Sequence, residues 1–161
     1  MYRANLVLTL FLVGLLTGCS AISPFSTLTK LDVKLTAHER VNPDLHGRPS
    51  PVVVRLFELR HAAAFENADF FSLYTHAEQV LPKDWINSEE IELRPGEQQV
   101  LKLRLEPDTR FVGVLAAYRN LPNVQWRRVI SVNSQQLNRA DWVLDEAGIR
   151  CALPASLTEA E

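Results

Sequence analysis

The chain has 161 residues, 47% of them hydrophobic, and its 17 basic and 19 acidic residues leave a formal net charge of −2. This length is enough for one domain with a sizeable apolar core. The near balance of charge excludes the basic footprint of a nucleic-acid-binding protein, so we expect no nucleic-acid partner.

The N-terminal segment has the composition of a bacterial lipoprotein signal peptide. Arg3 precedes an apolar run from Leu6 to Leu16, which is too short to span about 30 Å of hydrocarbon. The run closes with a lipobox, Leu16-Thr17-Gly18-Cys19. We therefore predict that residues 1–18 are removed and that Cys19 becomes the acylated N-terminus. Because Ser20 rather than an aspartate follows, the lipoprotein sorting rule predicts the outer membrane, facing the periplasm.

A tether and then a β-rich domain are predicted after the lipidated cysteine. Residues 19–29 are mostly small and hydroxylated, which is typical of a flexible linker, so the domain would occupy residues 30–161. Leu31, Val33 and Leu35 alternate with polar residues, as in a half-buried strand. The stretch 51–59 is apolar on both faces and predicts a central strand.

The hydrophobic period changes to a helical one at about residues 61–81. We predict a short helical insertion here, with Asn67 or Asp69 as an N-cap. Strands are predicted again around 89–93, 100–105, 111–118 and 126–132, and 142–144 with 149–153 should form a last hairpin. A simple hairpin around the Pro95-Gly96 turn would put Leu101 on the wrong face, so a bulge, a longer loop or a crossing between sheets is required.

Regularly spaced turns without alternating helices predict the fold class. We expect a mainly all-β protein, an antiparallel β-sandwich of about seven or eight strands with one short helical insertion.

Catalytic and cofactor motifs are missing from the sequence. It has no nucleophile elbow, phosphate-binding glycine run or cysteine pair, and its histidines fit no metal-ligand spacing, so we predict a non-enzyme without metal or cofactor. Cys151 lies in an alternating apolar stretch and is predicted to be a small buried thiol. Trp126 beside two arginines could form a stacking platform for a sugar or nucleotide, but a tryptophan at the core edge beside surface arginines is the preferred interpretation.

One predicted loop, Ala37 to Ser50, is unusually long. It has about fourteen residues, where connections typically have ~4–6, and long loops of this kind are often functional. Its prolines and Gly47 should stiffen it, and Val41 and Leu45 have no evident core to enter. We predict a partner-binding loop formed by Arg40, Val41, Asn42, Pro43, Asp44, Leu45, His46, Gly47 and Arg48.

Several stretches resemble the TssJ family of type VI secretion outer-membrane lipoproteins, and their order and spacing cover nearly the whole mature chain. They are Val41-Asn42-Pro43-Asp44-Leu45-His46-Gly47-Arg48-Pro49-Ser50-Pro51 with the strand that follows, Ala64-Phe65-Glu66-Asn67-Ala68-Asp69-Phe70-Phe71-Ser72-Leu73-Tyr74, Leu93-Arg94-Pro95-Gly96-Glu97 and Gly113-Val114-Leu115-Ala116-Ala117-Tyr118-Arg119.

The resemblance implies a transthyretin-like sandwich that is monomeric on its own and binds the periplasmic C-terminal domain of TssM, and through it TssL. It also implies that the contact is made chiefly by the loop between the first two strands, here Ala37 to Ser50. A periplasmic lipoprotein binding module for a small ligand or glycan is the alternative. In that case the helical insertion would act as a lid over one end of the sandwich, above a concave apolar pocket.

Overall fold

The computed structural model describes residues 27–152, so the predicted signal peptide, the lipidation site Cys19 and most of the predicted tether lie outside the described residues. The described chain forms eight strands, two α-helices and one 3₁₀ turn. The strands are β1 (Lys30–Ala37), β2 (Val52–Leu59), β3 (Trp85–Leu93), β4 (Gln98–Arg104), β5 (Phe111–Ala116), β6 (Arg127–Ser131), β7 (Leu137–Asp145) and β8 (Gly148–Cys151). The helices are α1 (Ala63–Asn67) and α2 (Phe70–Val80), and the 3₁₀ turn is Leu121–Asn123.

The strands form two four-stranded sheets that pack as the predicted sandwich. The first sheet has the order β4-β1-β7-β8 and the second the order β3-β2-β5-β6. The core between the sheets is built from inward-facing residues at every second strand position, such as Leu31, Val33 and Leu35 of β1, all fully buried. Strand β2 is central in its sheet, as its apolar sequence predicted.

The helices cover the outer face of the second sheet. Phe65, Phe70 and Leu73 pack there in a second apolar cluster with Phe57 and residues of β5. Asp69 is the N-cap of α2, because its carboxylate accepts a hydrogen bond from the Ser72 N–H at 3.0 Å. The helical insertion is therefore confirmed, but it lies across a sheet face and does not form a lid over one end of the sandwich. No helix in the described chain is long and apolar enough to cross a membrane.

The chain crosses between sheets at the Pro95-Gly96 turn. This crossing is one of the three alternatives predicted from the position of Leu101 relative to the turn. The Glu97 N–H donates to the Arg94 carbonyl at 2.9 Å, and Gly96 has a φ of 77°. Strand β3 before the turn belongs to the second sheet and β4 after it to the first. Since β4 pairs with β1, its leucines face the core from the other side.

Two expectations are corrected by the tertiary structure. The sandwich is not wholly antiparallel, because β7 enters the first sheet from the second and pairs with β1 in parallel, with Leu35 opposite Trp142. Cys151 is exposed rather than buried, since it lies at the end of the short edge strand β8, where no further element covers it. Leu153, the end of the predicted last strand, lies outside the described residues.

Candidate functional site: the loop between the first two strands

The long loop joins the two sheets and is anchored at its base by a buried side chain. Val41 is fully buried in the core, with its N–H donating to the His38 carbonyl at 3.0 Å and its carbonyl accepting from the Ser50 N–H at 3.2 Å. The prediction that Val41 is unburied was therefore wrong, because the loop folds back over the edge of the sandwich and carries Val41 inward. Val41 supports the loop from beneath and is not available as a contact residue.

Asn42 fixes the loop to a distant part of the chain. Its side chain is buried; the amide nitrogen donates to the Pro51 carbonyl at 2.7 Å, and the amide oxygen accepts from the Arg119 N–H at 2.8 Å. The backbone of Asn42 is left-handed, with a φ of 49°, a conformation that asparagine tolerates better than most residues. Asn42 thus sets the position of the loop relative to the segment after β5.

We expect Asn42→Ala to lower the free energy of unfolding by about 1–2 kcal/mol, because two partly buried hydrogen bonds are lost and alanine is disfavoured at this φ. Urea denaturation of the mature protein would measure this. Asn123→Ala, at an exposed asparagine, is the control and should change stability by less than about 0.5 kcal/mol. Equal stability of both variants would contradict the anchoring role.

The tip of the loop is closed by Asp44. One carboxylate oxygen accepts from the backbone N–H groups of His46 and Arg48 at 2.8 and 2.9 Å, and the other accepts from the Arg48 guanidinium at 2.8 Å. The Gly47 N–H donates to the Asp44 carbonyl at 2.9 Å, and Gly47 adopts a φ of 76° that suits glycine. These donors, the Arg48 N–H foremost, hold the pKa of Asp44 below its ordinary value. The tip is a preformed turn.

Leu45 lies at the tip of this turn. Its side chain is 102% exposed, the most exposed of the large hydrophobic residues in the described chain. Nothing in the turn requires a leucine, because the closing hydrogen bonds come from Asp44 and the backbone. A fully exposed leucine on an ordered turn is available for contact with another molecule.

We expect Asp44→Ala to leave the core intact but to speed amide hydrogen exchange at His46 and Arg48, whose N–H groups lose their acceptor. Acid should likewise lower the protection of these two amides, measured relative to the intrinsic exchange rate at each pH. Because the folded pKa of Asp44 lies below its ordinary value, the carboxylate's contribution is present at higher pH and is lost as the pH falls through the folded pKa. Heteronuclear NMR from neutral pH to about pH 2 would follow both amides, and unchanged protection both in Asp44→Ala and at the acid end would contradict this account.

A cleft of about 560 Å³ lies beside the loop tip. One wall is the loop itself, and the other contains Tyr118, Arg119 and the exposed carboxylate of Glu146, which pairs with Arg40 at 2.9 Å. Burial, reinforced by the nearby Asp145 carboxylate, raises the pKa of the Tyr118 phenol, so it stays neutral. Among the described residues its hydroxyl has no hydrogen-bond partner. Because that hydroxyl is buried, the groups that the cleft presents to another molecule are those of the loop wall, Arg119 and Glu146.

The predicted loop residues are thus divided by the structure into three roles. Val41 and Asn42 form the buried base, Asp44 and Gly47 shape the turn, and the residues left exposed or half-exposed, and so accessible to another molecule, are Arg40, Pro43, Leu45, His46 and Arg48. Sequence reasoning missed Tyr118, Arg119 and Glu146, which are far from the loop along the chain. No local pattern marks them.

Trp126 and the neighbouring Arg127, which were considered as a stacking platform for a ligand, have structural roles. Trp126 packs edge-to-face on Phe70 with ring centroids 5.3 Å apart, and the Arg127 guanidinium lies 4.5 Å from the Trp126 ring centre. Arg127 also donates to the Phe65 carbonyl at 3.0 Å and to the Ala68 carbonyl, so this pair ties α1 to the sheet. Over residues 27–152 there is no group of three or more histidine, cysteine or acidic side chains placed to hold a metal ion.

Comparison with known proteins gives a consistent family assignment. The family model described as type VI secretion lipoprotein, VasD, EvfM, TssJ matches residues 29–149. The search of curated protein sequences gave no significant match.

Solved structures with the same fold come from type VI secretion. The T6SS lipoprotein TssJ1 from Pseudomonas aeruginosa is 34% identical with a TM-score of 0.73, over 79% of this chain and 98% of that one. Lip from Serratia marcescens, a membrane bound component of the type VI secretion system, is 27% identical with a TM-score of 0.73, over 78% and 98%. A chain of a type VI membrane complex is 25% identical with a TM-score of 0.67, over 79% and 99%.

Proposed function

The chain belongs to the type VI secretion lipoprotein family, and from this we propose that it is an outer-membrane scaffold that anchors the trans-envelope complex. It would do so by binding the periplasmic C-terminal domain of TssM, and through it TssL, while acyl groups on Cys19 hold it in the membrane. The role requires no catalytic chemistry.

The observation that carries the proposal is the fully exposed Leu45 on a turn closed by Asp44. A preformed turn loses less conformational entropy on docking than a flexible loop does, so more of its contact energy appears as affinity. Leu45 would enter an apolar pocket of TssM, and the cleft beside the loop would receive a TssM side chain between the loop wall and the exposed Arg119 and Glu146.

The position of the loop along the strand agrees with this role. Strand β1 begins at Lys30, close to the predicted lipid, and ends at Ala37, where the loop begins. Eight residues of strand span roughly 26 Å, so the two ends of the domain are well separated. The loop can therefore meet a periplasmic partner while the other end stays near the membrane.

A small-ligand or glycan module is the second candidate, and the cleft at the loop is the observation in its favour. The two functions make different use of the cleft. A binding module would be stabilised against heat by its free ligand, whereas a scaffold would be stabilised by the TssM domain alone.

Calorimetric titration of the mature chain with the TssM C-terminal domain tests the proposal. We expect a stoichiometric complex, and we expect Gly/Ser replacement of residues 43–48 to remove it. The replacement leaves Val41 and Asn42 in place, because their burial makes them part of the fold. A complex that forms equally well without the loop tip would place the interface elsewhere, for example at α2, where Phe71 is 68% exposed.

A further inference from the structure

The outer face of the first sheet carries a cluster of basic side chains, which we call the basic patch: Lys30, Lys102, Arg104 and Arg139. Strand pairing brings them together, because Lys30 lies opposite Arg104, and Asp32 lies between Lys102 and Arg139. The four come from three strands, all are exposed, and in the described chain none has an ion-pair partner. Asp32, the nearby Glu106 and Asp141, which pairs with Lys34 at 3.6 Å, are acidic residues that reduce the charge of this region.

Exposed apolar groups accompany the basic patch. Leu137 lies opposite Lys30 and is 49% exposed, and Val100 lies opposite Lys34 and is 56% exposed. A shallow groove of about 240 Å³ lies beside Val100, and it is lined by Val33, Ala140 and four charged residues, Asp32, Lys34, Arg139 and Asp141. Cations mixed with exposed aliphatic side chains are the composition of a surface that meets lipid headgroups.

The basic patch is at the membrane end of the domain. It occupies the two residue rows of the first sheet nearest to Lys30, where β1 begins, and about eleven residues separate Lys30 from Cys19. Even fully extended at about 3.5 Å per residue, that segment reaches less than about 40 Å. The lipid anchor would therefore confine the patch to within about 40 Å of the bilayer, which raises its effective concentration at the surface.

Charge is distributed unevenly over the molecule although its formal net charge is −2. Edge strand β3 of the second sheet carries exposed Glu89, Glu90 and Glu92, and of these Glu90 is paired with Arg55. An anionic surface would attract the patch and repel this edge. The same field would set one orientation of the domain.

We propose that the basic patch rests on anionic phospholipid headgroups of the membrane that holds the acylated Cys19. The inference rests on the lipid attachment in the proposed function and adds a second contact to it. The headgroup phosphates form ion pairs with the four basic side chains, and the Leu137 side chain enters the interfacial region of the bilayer. This contact turns the outer face of the first sheet towards the bilayer, with the loop after Ala37 at the end of β1 farther from the lipid anchor.

The test uses the full lipidated chain in vesicles of phosphatidylethanolamine and phosphatidylcholine, with or without about 30% phosphatidylglycerol. Cys151→Ser removes the exposed native thiol, and Gln136→Cys beside Leu137 carries a fluorophore. Phospholipid with a spin-labelled headgroup quenches the fluorescence of this label by contact. We expect at least about twofold stronger quenching in the anionic vesicles, reversed by about 0.5 M salt. The same label on His46→Cys at the loop tip should show no such difference.

Charge reversal gives the decisive comparison. Lys102→Glu with Arg139→Glu should abolish the extra quenching at residue 136, while Lys83→Glu with Arg94→Glu, the same charge change at exposed residues away from the patch, should retain it. Equal quenching in both vesicle types, or in both double variants, would overturn the proposal. A chain that fails to remain on any vesicle contradicts the lipid attachment itself, so the two failures are distinguishable.

Discussion

Replacing Leu45 with aspartate should weaken binding to the TssM C-terminal domain by about thirtyfold to a hundredfold while leaving the melting temperature unchanged. A central apolar contact typically accounts for about 2–3 kcal/mol at a protein interface, and a buried unpaired carboxylate adds a desolvation cost. The stability of the fold should not change, because the Leu45 side chain is fully exposed and contributes nothing to the core.

The matched control for this variant is Leu137→Asp. Leu137 is another exposed leucine, but it lies near the start of β1 and far from the loop. Titration calorimetry and thermal melting of both variants should show a loss of affinity in the Leu45 variant alone. Wild-type affinity in a well-folded Leu45→Asp protein would remove the loop tip from the interface.

Replacing Cys19 with serine should release the protein from membranes completely or leave an unprocessed precursor. Each buried CH₂ of an acyl chain contributes about 0.8 kcal/mol to membrane binding, and the basic patch alone cannot replace several such chains. Cell fractionation with detection of the precursor and mature forms is the measurement. The domain should remain folded, since Cys19 precedes the first strand by about eleven residues.

A control at the neighbouring residue separates lipidation from processing in general. Ser20→Ala keeps the lipobox and should leave the protein in the outer membrane, whereas Ser20→Asp should retain it in the inner membrane if the sorting rule applies to this chain. Processed Cys19→Ser protein that still fractionates with the outer membrane would contradict the anchor.

Local sequence patterns predicted the parts of the fold that depend on local physics. The alternation of Leu31, Val33 and Leu35 requires a strand with one buried face, and Asp69 before an apolar helical stretch can cap its first turn. The position of the β4 leucines relative to the Pro95-Gly96 turn also predicted that the strands before and after this turn do not form a simple hairpin. The length and prolines of the loop marked it as a candidate site before any contact was known.

The sequence by itself thus determined the place of most strands, the helical insertion, the loop's existence and the lipobox with Cys19, because each depends on residues that are neighbours along the chain, but it missed that β7 begins at Leu137, in a polar segment. Only the tertiary structure decided that Val41 is buried, that β7 pairs with β1 in parallel, and that Tyr118 and Glu146 form a cleft beside the loop. Only strand register brings Lys102, Lys30 and Arg139 onto one face. The physical reason is that burial and juxtaposition follow from which surfaces pack together, and that packing is a property of the whole domain rather than of any one segment.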